Sequence, residues 1–408
     1  MFTLKLRHSV FDIFLILTFI LLPVLDQVSG ALSVSGPSLS LYLRLSIMII
    51  AFLFMIKKGI SKFIYVYFLI GVLSISALID YMNTGSTRNL VKNVIIVSKT
   101  IYPIIMYYAF KYISENHSEI FRKVIDYMLT GIVIYSLFII TTNVLSVGVT
   151  AYSIGGSTGF MAAGNDLSLL IAVSFPLFFL EFEKRSKIHN LFILIIILGG
   201  LSLLLTKSSL MAFGFFILLI IKEIYKRIDK GYKILLTLII IICFVVFIYL
   251  INVLLRNLKI FEIYFNLYSS QGLVWVLFRG RQAIFNNFWD LVEFAQPIGI
   301  VFGMGQELFA KTYAQYSFDF WGANYKIAEM DIFDIFFIFG IFGFFFIFWF
   351  YIKNGYKAIK ENKYSLIIIA SIFTFFIHSV FAGHAMSSPI VGTYIAAVFA
   401  IREGKNIL

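Results

Sequence analysis

The chain has 408 residues, 61% of them apolar and only 13% charged, and a formal net charge of +12. That balance excludes an ordinary soluble domain, and the positive charge is spread over short connections, so nucleic acid is not an expected partner. A single cysteine, Cys243, excludes an intrachain disulfide.

The elements follow in chain order. A basic start (Lys5, Arg7) precedes an apolar run over 10–25, with Val28-Ser29-Gly30 as a weak cleavage-like site; we read a retained first helix. Further apolar runs cover 39–56, 63–80, 94–113, 124–145, 164–181, 191–206, 208–221 and 234–254. A long hydrophilic connection follows, and the last runs are 332–352, 365–383 and 388–401. Runs of roughly 20 apolar residues match a bilayer crossing. The expected fold is therefore all-α: a polytopic integral membrane protein of about 12 transmembrane helices. It forms a single transmembrane domain, 1–408, with one long outer loop over 255–331. Phe285, Phe288, Trp289 and Val292 recur at helical spacing, so short helices are expected inside that loop.

Charge sets the expected orientation. With the N-terminus inside, most of the 33 Lys and Arg residues fall in short inner connections, such as Lys57-Lys58, Lys222-Glu223-Ile224-Tyr225-Lys226-Arg227 and Lys353 to Lys363. The bias satisfies the positive-inside rule with both termini cytoplasmic. The outer connections are rich in Ser, Gly, Thr and Asn, and no phosphate-cradling P-loop occurs on either side. Any chemistry is expected on the outer face, with the lipid bilayer as a partner and no cofactor.

Three constellations could carry that chemistry. The first is cationic: Arg44 and Lys99 inside spans, and Arg88, Lys92, Lys207, Arg256, Arg279 and Arg281 in outer connections. Guanidinium groups match phosphate oxygens bidentately, which suits an anionic lipid-linked substrate. Snorkelling is the plainer reading for Arg44 and Lys99. The second is acidic: Glu329, Asp331 and Asp334, at the start of a membrane helix. One acid could serve as general base, or the carboxylates could cap the helix and complement its dipole. Arg279 and Arg281 are candidate partners for them. The third is His378 and His384 near the outer end of the penultimate span, with His384 a candidate acid/base group. Six residues apart and with no third ligand at suitable spacing, they do not read as a metal site.

These residues also carry a resemblance. Glu329-Met330, nine residues, then Gly340-Ile341-Phe342-Gly343 is similar to the motif closing the large periplasmic loop in O-antigen ligases and polymerases. Three more stretches agree in order with that superfamily. They are Ala163-Gly164-Asn165-Asp166 in a span reaching Pro176; Leu205-Thr206-Lys207-Ser208-Ser209; and Gly280-Arg281 leading to Trp289, Pro297-Ile298-Gly299 and Gly303-Met304-Gly305. Where the ligase branch has His, this chain has Glu329, and the acidic version looks more like Wzy-type polymerases of O-antigen or capsule repeat units.

The resemblance implies a metal-independent glycosyltransferase of the bacterial plasma (inner) membrane, acting at its outer face. A growing glycan would leave undecaprenyl diphosphate and join the next lipid-linked repeat unit, with a chain-length regulator as a possible partner. Glu329, Asp331, Asp334, Arg281 and His384 would then be the catalytic set. Arg279, Arg281, Arg44, Lys99, Asn165 and Lys207 would bind diphosphate and glycan. A ligase remains the near alternative. A lipid-linked oligosaccharide flippase is the different-class one, although its charges should spread through a central cavity.

Overall fold

A computed structural model describes residues 10–32, 39–57, 59, 63–150, 157–161, 164–180, 185–204, 206, 214, 281, 283–316, 327–361, 365–381 and 383–401. Among them all regular structure is helical and no strand forms. The helices are α1 (Val10–Leu32), α2 (Leu39–Lys57), α3 (Ile64–Thr84), α4 (Thr87–Asn116), α5 (Ser118–Val144), α6 (Gly164–Leu180) and α7 (Lys187–Leu204). They continue as α8 (Phe288–Phe302), α9 (Gln306–Tyr316), α10 (Asp331–Lys360), α11 (Leu366–Phe381) and α12 (Pro389–Ala400). Seven of these, α1 to α5, α7 and α10, are long and apolar enough to cross a membrane; α6, α11 and α12 are shorter apolar helices. This is an α-helical membrane protein. The expected spans 208–221 and 234–254 lie outside the described residues.

Local chemistry explains the breaks. Gly85, left-handed at φ 63°, ends α3, and the Ser86 hydroxyl accepts the Asn89 N–H to start α4, so two residues reverse the chain. Pro103 inside α4 presents its ring to Gly392, where a Cβ would fall 2.1 Å from the ring Cγ. A small residue is what lets α4 and α12 approach so closely. From Ile390 to Ala400, α12 is buried on every side, and its sequence is apolar all round as a central helix requires.

An ion pair between α1 and α2 interrupts the apolar packing. Arg44 on α2 donates to Asp26 on α1 at 2.5 Å, and the Tyr135 hydroxyl of α5 donates to the other oxygen of Asp26 at 2.6 Å. Removing one partner strands a charge and costs about 3–5 kcal/mol, whereas replacing both with apolar groups is often neutral. Asp26→Ala or Arg44→Ala is therefore expected to lower the melting temperature of the extracted protein sharply. The double change Asp26→Leu with Arg44→Met should restore most of it; an additive loss in the double variant would contradict this account of the pair.

The segment before α10 shapes the region of interest. α8 runs along α10, with Phe288 against Phe333, Phe336 and Phe337, and Phe302 against Phe342. The chain turns at Gly303-Met304-Gly305 and returns as α9, where Phe309 stacks on Phe337. α10 is broken opposite this turn at Gly340 (φ 69°). The break frees the carbonyls of Phe337 and Ile338, and the N–H groups of Met304 and Gly305 take them at 2.8 and 3.1 Å. The next donors are met by side chains: Gln306 N–H by Asn93 at 2.6 Å, and Glu307 and Leu308 N–H by Asp80 at 3.1 and 3.2 Å. Asn93 also donates to Asp80 at 2.6 Å. Successive N–H groups of a backbone turn are thus all satisfied, as a buried turn requires.

Candidate functional site: a charged cavity at one end of the bundle

The end of α3, the start of α4, the segment before α10, the arm α9 and the turn between α11 and α12 line an open-sided cavity of about 460 Å³. Asn89, Lys92, Glu307, Lys311, Glu329 and His384 are among its lining residues. Lys92 and Glu307 pair across it at 2.7 Å. Lys57, Lys123, Arg185 and Lys357 lie at or near the opposite helix ends, so the bundle has a basic end and a cavity end.

The three carboxylates of the acidic stretch part company here. Asp334 is buried and folds back on the preceding turn, accepting the N–H groups of Ala328 at 2.9 Å and Met330 at 3.0 Å. Asp331, also buried, accepts the Met386 N–H at 3.0 Å and so ties α10 to the turn carrying His384. The Tyr351 hydroxyl donates to the Met386 carbonyl at 3.2 Å and holds the same turn. Glu329 alone reaches the cavity: its side chain keeps 27% exposure, while its partner Arg281 keeps 9% and donates to it at 2.5 Å. The Nε of Arg281 is buried with no acceptor among the described residues, a spare donor beside the acid.

Two of the four non-glycine residues with positive φ among the described residues meet at this place. Glu329 (φ 56°) and His384 (φ 61°) both adopt left-handed conformations, which cost a non-glycine residue about 1–3 kcal/mol and persist only where the surroundings impose them. Gly383, left-handed too, shows what imposes them: a Cβ there would sit 2.2 Å from the Glu329 carbonyl carbon. The two turns are pressed backbone to backbone, which brings an acid and an imidazole onto one cavity.

The other candidate residues are placed differently. Arg44 is engaged by Asp26 and does not line this cavity. Lys99 is exposed on α4, seven residues beyond Lys92, and Asn165 is half-buried in the first turn of α6; neither lines the cavity. Arg279 and Lys207 lie outside the described residues. Asp166, next to Asn165, accepts a hydrogen bond from Ser388 at 2.8 Å and lies within electrostatic reach of His384, Lys99 and Arg44. Sequence reasoning passed over Glu307, Lys311 and the Asp80–Asn93 pair. A carboxylate inside an apolar span, as Asp80 is, was the available signal, since such a group needs a partner. Among the described residues no group of His, Cys, Asp and Glu is arranged to hold a metal ion.

Fold and cavity together define an all-α membrane protein with a strained, ion-paired acid at one end of its bundle. No family model matches the chain, and comparison with curated proteins and with solved structures finds no match either.

Proposed function

We propose that the chain is a glycosyltransferase that polymerises lipid-linked oligosaccharide repeat units, of O-antigen or capsule type, at the outer face of the bacterial plasma membrane. The observation that carries this reading is the Arg281–Glu329 pair: a partly exposed carboxylate held in a strained turn by a buried guanidinium with a donor to spare. Placing the basic ends of the helices in the cytoplasm puts the cavity outside, where flipped repeat units await assembly.

The proposed chemistry rests on that pair. At rest Arg281 holds Glu329. A diphosphate arriving at the cavity draws on the same guanidinium, which suits phosphate bidentately, and so releases the carboxylate. Glu329 then takes the proton of the acceptor sugar hydroxyl as general base. The acceptor oxygen bonds to the anomeric carbon of the growing chain, the bond from that carbon to the diphosphate oxygen breaks, and its electron pair leaves with the lipid diphosphate. Arg281, Lys92 and Lys311 stabilise that departing charge. Asp331 and Asp334 serve by fixing the turns that carry His384 and Glu329.

Deleting the gene in its host tests this. The expected result is loss of the glycan ladder with a single-unit band retained. Loss of the single-unit band as well, with carrier-linked units accumulating outside, would make the chain a ligase. Failure of the units to reach the outer face would make it a flippase.

A further inference from the structure

We propose that α8 and α9 form a re-entrant hairpin, which enters the bilayer from the cavity end, turns at Gly303–Gly305 and leaves by the same end, with lipid acyl chains covering the outward face of α8. The depth follows from what α8 touches. Phe288, with Phe285 of the short helix Ala283–Asn286 before it, meets Phe333, one residue inside the apolar run of α10, and Phe302 meets Phe342. Phe342 lies ten residues beyond Ile332 in that run, a drop of about 15 Å at roughly 1.5 Å per residue, near the middle of a hydrocarbon core of about 30 Å.

The large exposed side chains of α8 change along that descent from charged and indole to aliphatic and phenyl. Its upper half exposes Asp290, Glu293 and Trp289, the last at 76%, a composition suited to the headgroup boundary. Beyond Glu293 it exposes Phe294 and Ile298, the latter at 59%, with Gln296 also exposed at a break in the helix (φ 55°) just before Pro297. This patch continues onto the exposed Phe342, Phe345 and Trp349 of α10, a helix long and apolar enough to cross a membrane. Irregular backbone survives at membrane depth only where every polar group finds a protein partner. The turn meets that condition: the N–H groups of residues 304–308 are taken by the carbonyls of Phe337 and Ile338, by Asn93 and by Asp80. Membrane insertion also accounts for Asp80 and Asn93, two polar groups that apolar helices would not otherwise carry. The second arm, α9, turns Gln306, Glu307 and Lys311 toward the cavity. One hairpin therefore has a lipid face and a cavity face, and it carries the charged cavity below the headgroup level.

The test uses the full-length chain with Cys243→Ser, purified and reconstituted in phosphatidylcholine liposomes, with a nitroxide on Ile298→Cys and, separately, on Phe294→Cys and Asp290→Cys. The expected result is a label at 298 and 294 that collides with dissolved oxygen but is shielded from a water-soluble nickel chelate. The label at 290 should be open to nickel. Nickel access at 298 and 294 equal to that at 290 would place α8 in water and overturn the proposal. Shielding of both positions from oxygen and nickel alike would mean that protein, not lipid, covers the face, and would overturn it too.

Discussion

Glu329→Gln is expected to abolish glycan chain extension while the protein stays in the membrane at normal abundance. The amide keeps the size of the side chain and can still accept from Arg281, so folding is spared, but it cannot take a proton from a sugar hydroxyl. Loss of a general base costs about 10²–10⁴-fold in rate. Arg281→Ala removes the guanidinium that holds both the base and the leaving diphosphate, with an expected loss of at least about 10²-fold. Arg281→Lys should recover little, because a point charge replaces a two-pronged donor. Asp334→Asn supplies the contrast. Its carboxylate holds two backbone N–H groups, and an amide can serve only one of them, so this change should lower abundance by about 1–3 kcal/mol of stability. Chain length measured per unit of membrane-extracted protein separates the two outcomes. Full activity in Glu329→Gln would remove Glu329 as the base.

The second large effect concerns the backbone crossing beneath the cavity. A Cβ on Gly303 would lie 2.1 Å from the Ile338 carbonyl oxygen, and one on Gly340 would lie 2.4 Å from that of Val301. Both obstacles are backbone and cannot swing aside, and both glycines have positive φ, 89° and 69°. With ψ at 159° and −177° they occupy a region that is essentially glycine's alone and costs alanine about 1–3 kcal/mol, and the clash brings the expected loss for Gly303→Ala or Gly340→Ala to about 3–5 kcal/mol, at the destabilising extreme for single substitutions. Gly355→Ala, also in α10, is the control: its Cβ would meet Ile372 of α11 at an ordinary 3.4 Å. That change should be neutral or slightly stabilising, since alanine favours helix over glycine by up to about 1 kcal/mol. Melting temperatures in detergent, with limited proteolysis of 283–316, read both effects. Equal melting of Gly303→Ala and the parent chain would show that the crossing is looser than described.

Much of the helical bundle was legible in the sequence because hydrocarbon length is written directly as apolar length. The runs 39–56 and 124–145 correspond closely to α2 and to the latter part of α5. The ends were less legible. The run 94–113 marks only the apolar middle of α4, which begins at Thr87 because Ser86 caps it, and the run 332–352 misses the basic last turns of α10. Hydropathy sees the bilayer, whereas caps and dipoles set where a helix stops. The helical spacing of Phe285, Phe288, Trp289 and Val292 correctly signalled a helix at α8. The crossing of Gly303 with Gly340 was not readable, since the two glycines stand 37 positions apart and look like any others in an apolar run.

The site was partly legible. Acids at a membrane boundary demand partners, and Arg279 and Arg281 were the candidates upstream in the same connection; Arg281 pairs with Glu329. The division of labour among the acids was not readable. Asp331 and Asp334 stand three apart and look equivalent, but their roles depend on which N–H groups the turns at 328–330 and 384–386 present. Lys92 was visible as an outer cation, whereas Lys311 and Glu307 needed the return of α9 to reach the cavity.

The most direct test of the central claim is chain extension by the purified protein. Reconstituted in liposomes with lipid-linked repeat units and no nucleotide sugar, the intact chain should produce a ladder of carrier-linked glycans and release lipid diphosphate in step with each added unit. Glu329→Gln in the same liposomes should leave the units single. A reconstituted intact chain that extends nothing, or a Glu329→Gln variant that extends as well as the parent, would contradict the account.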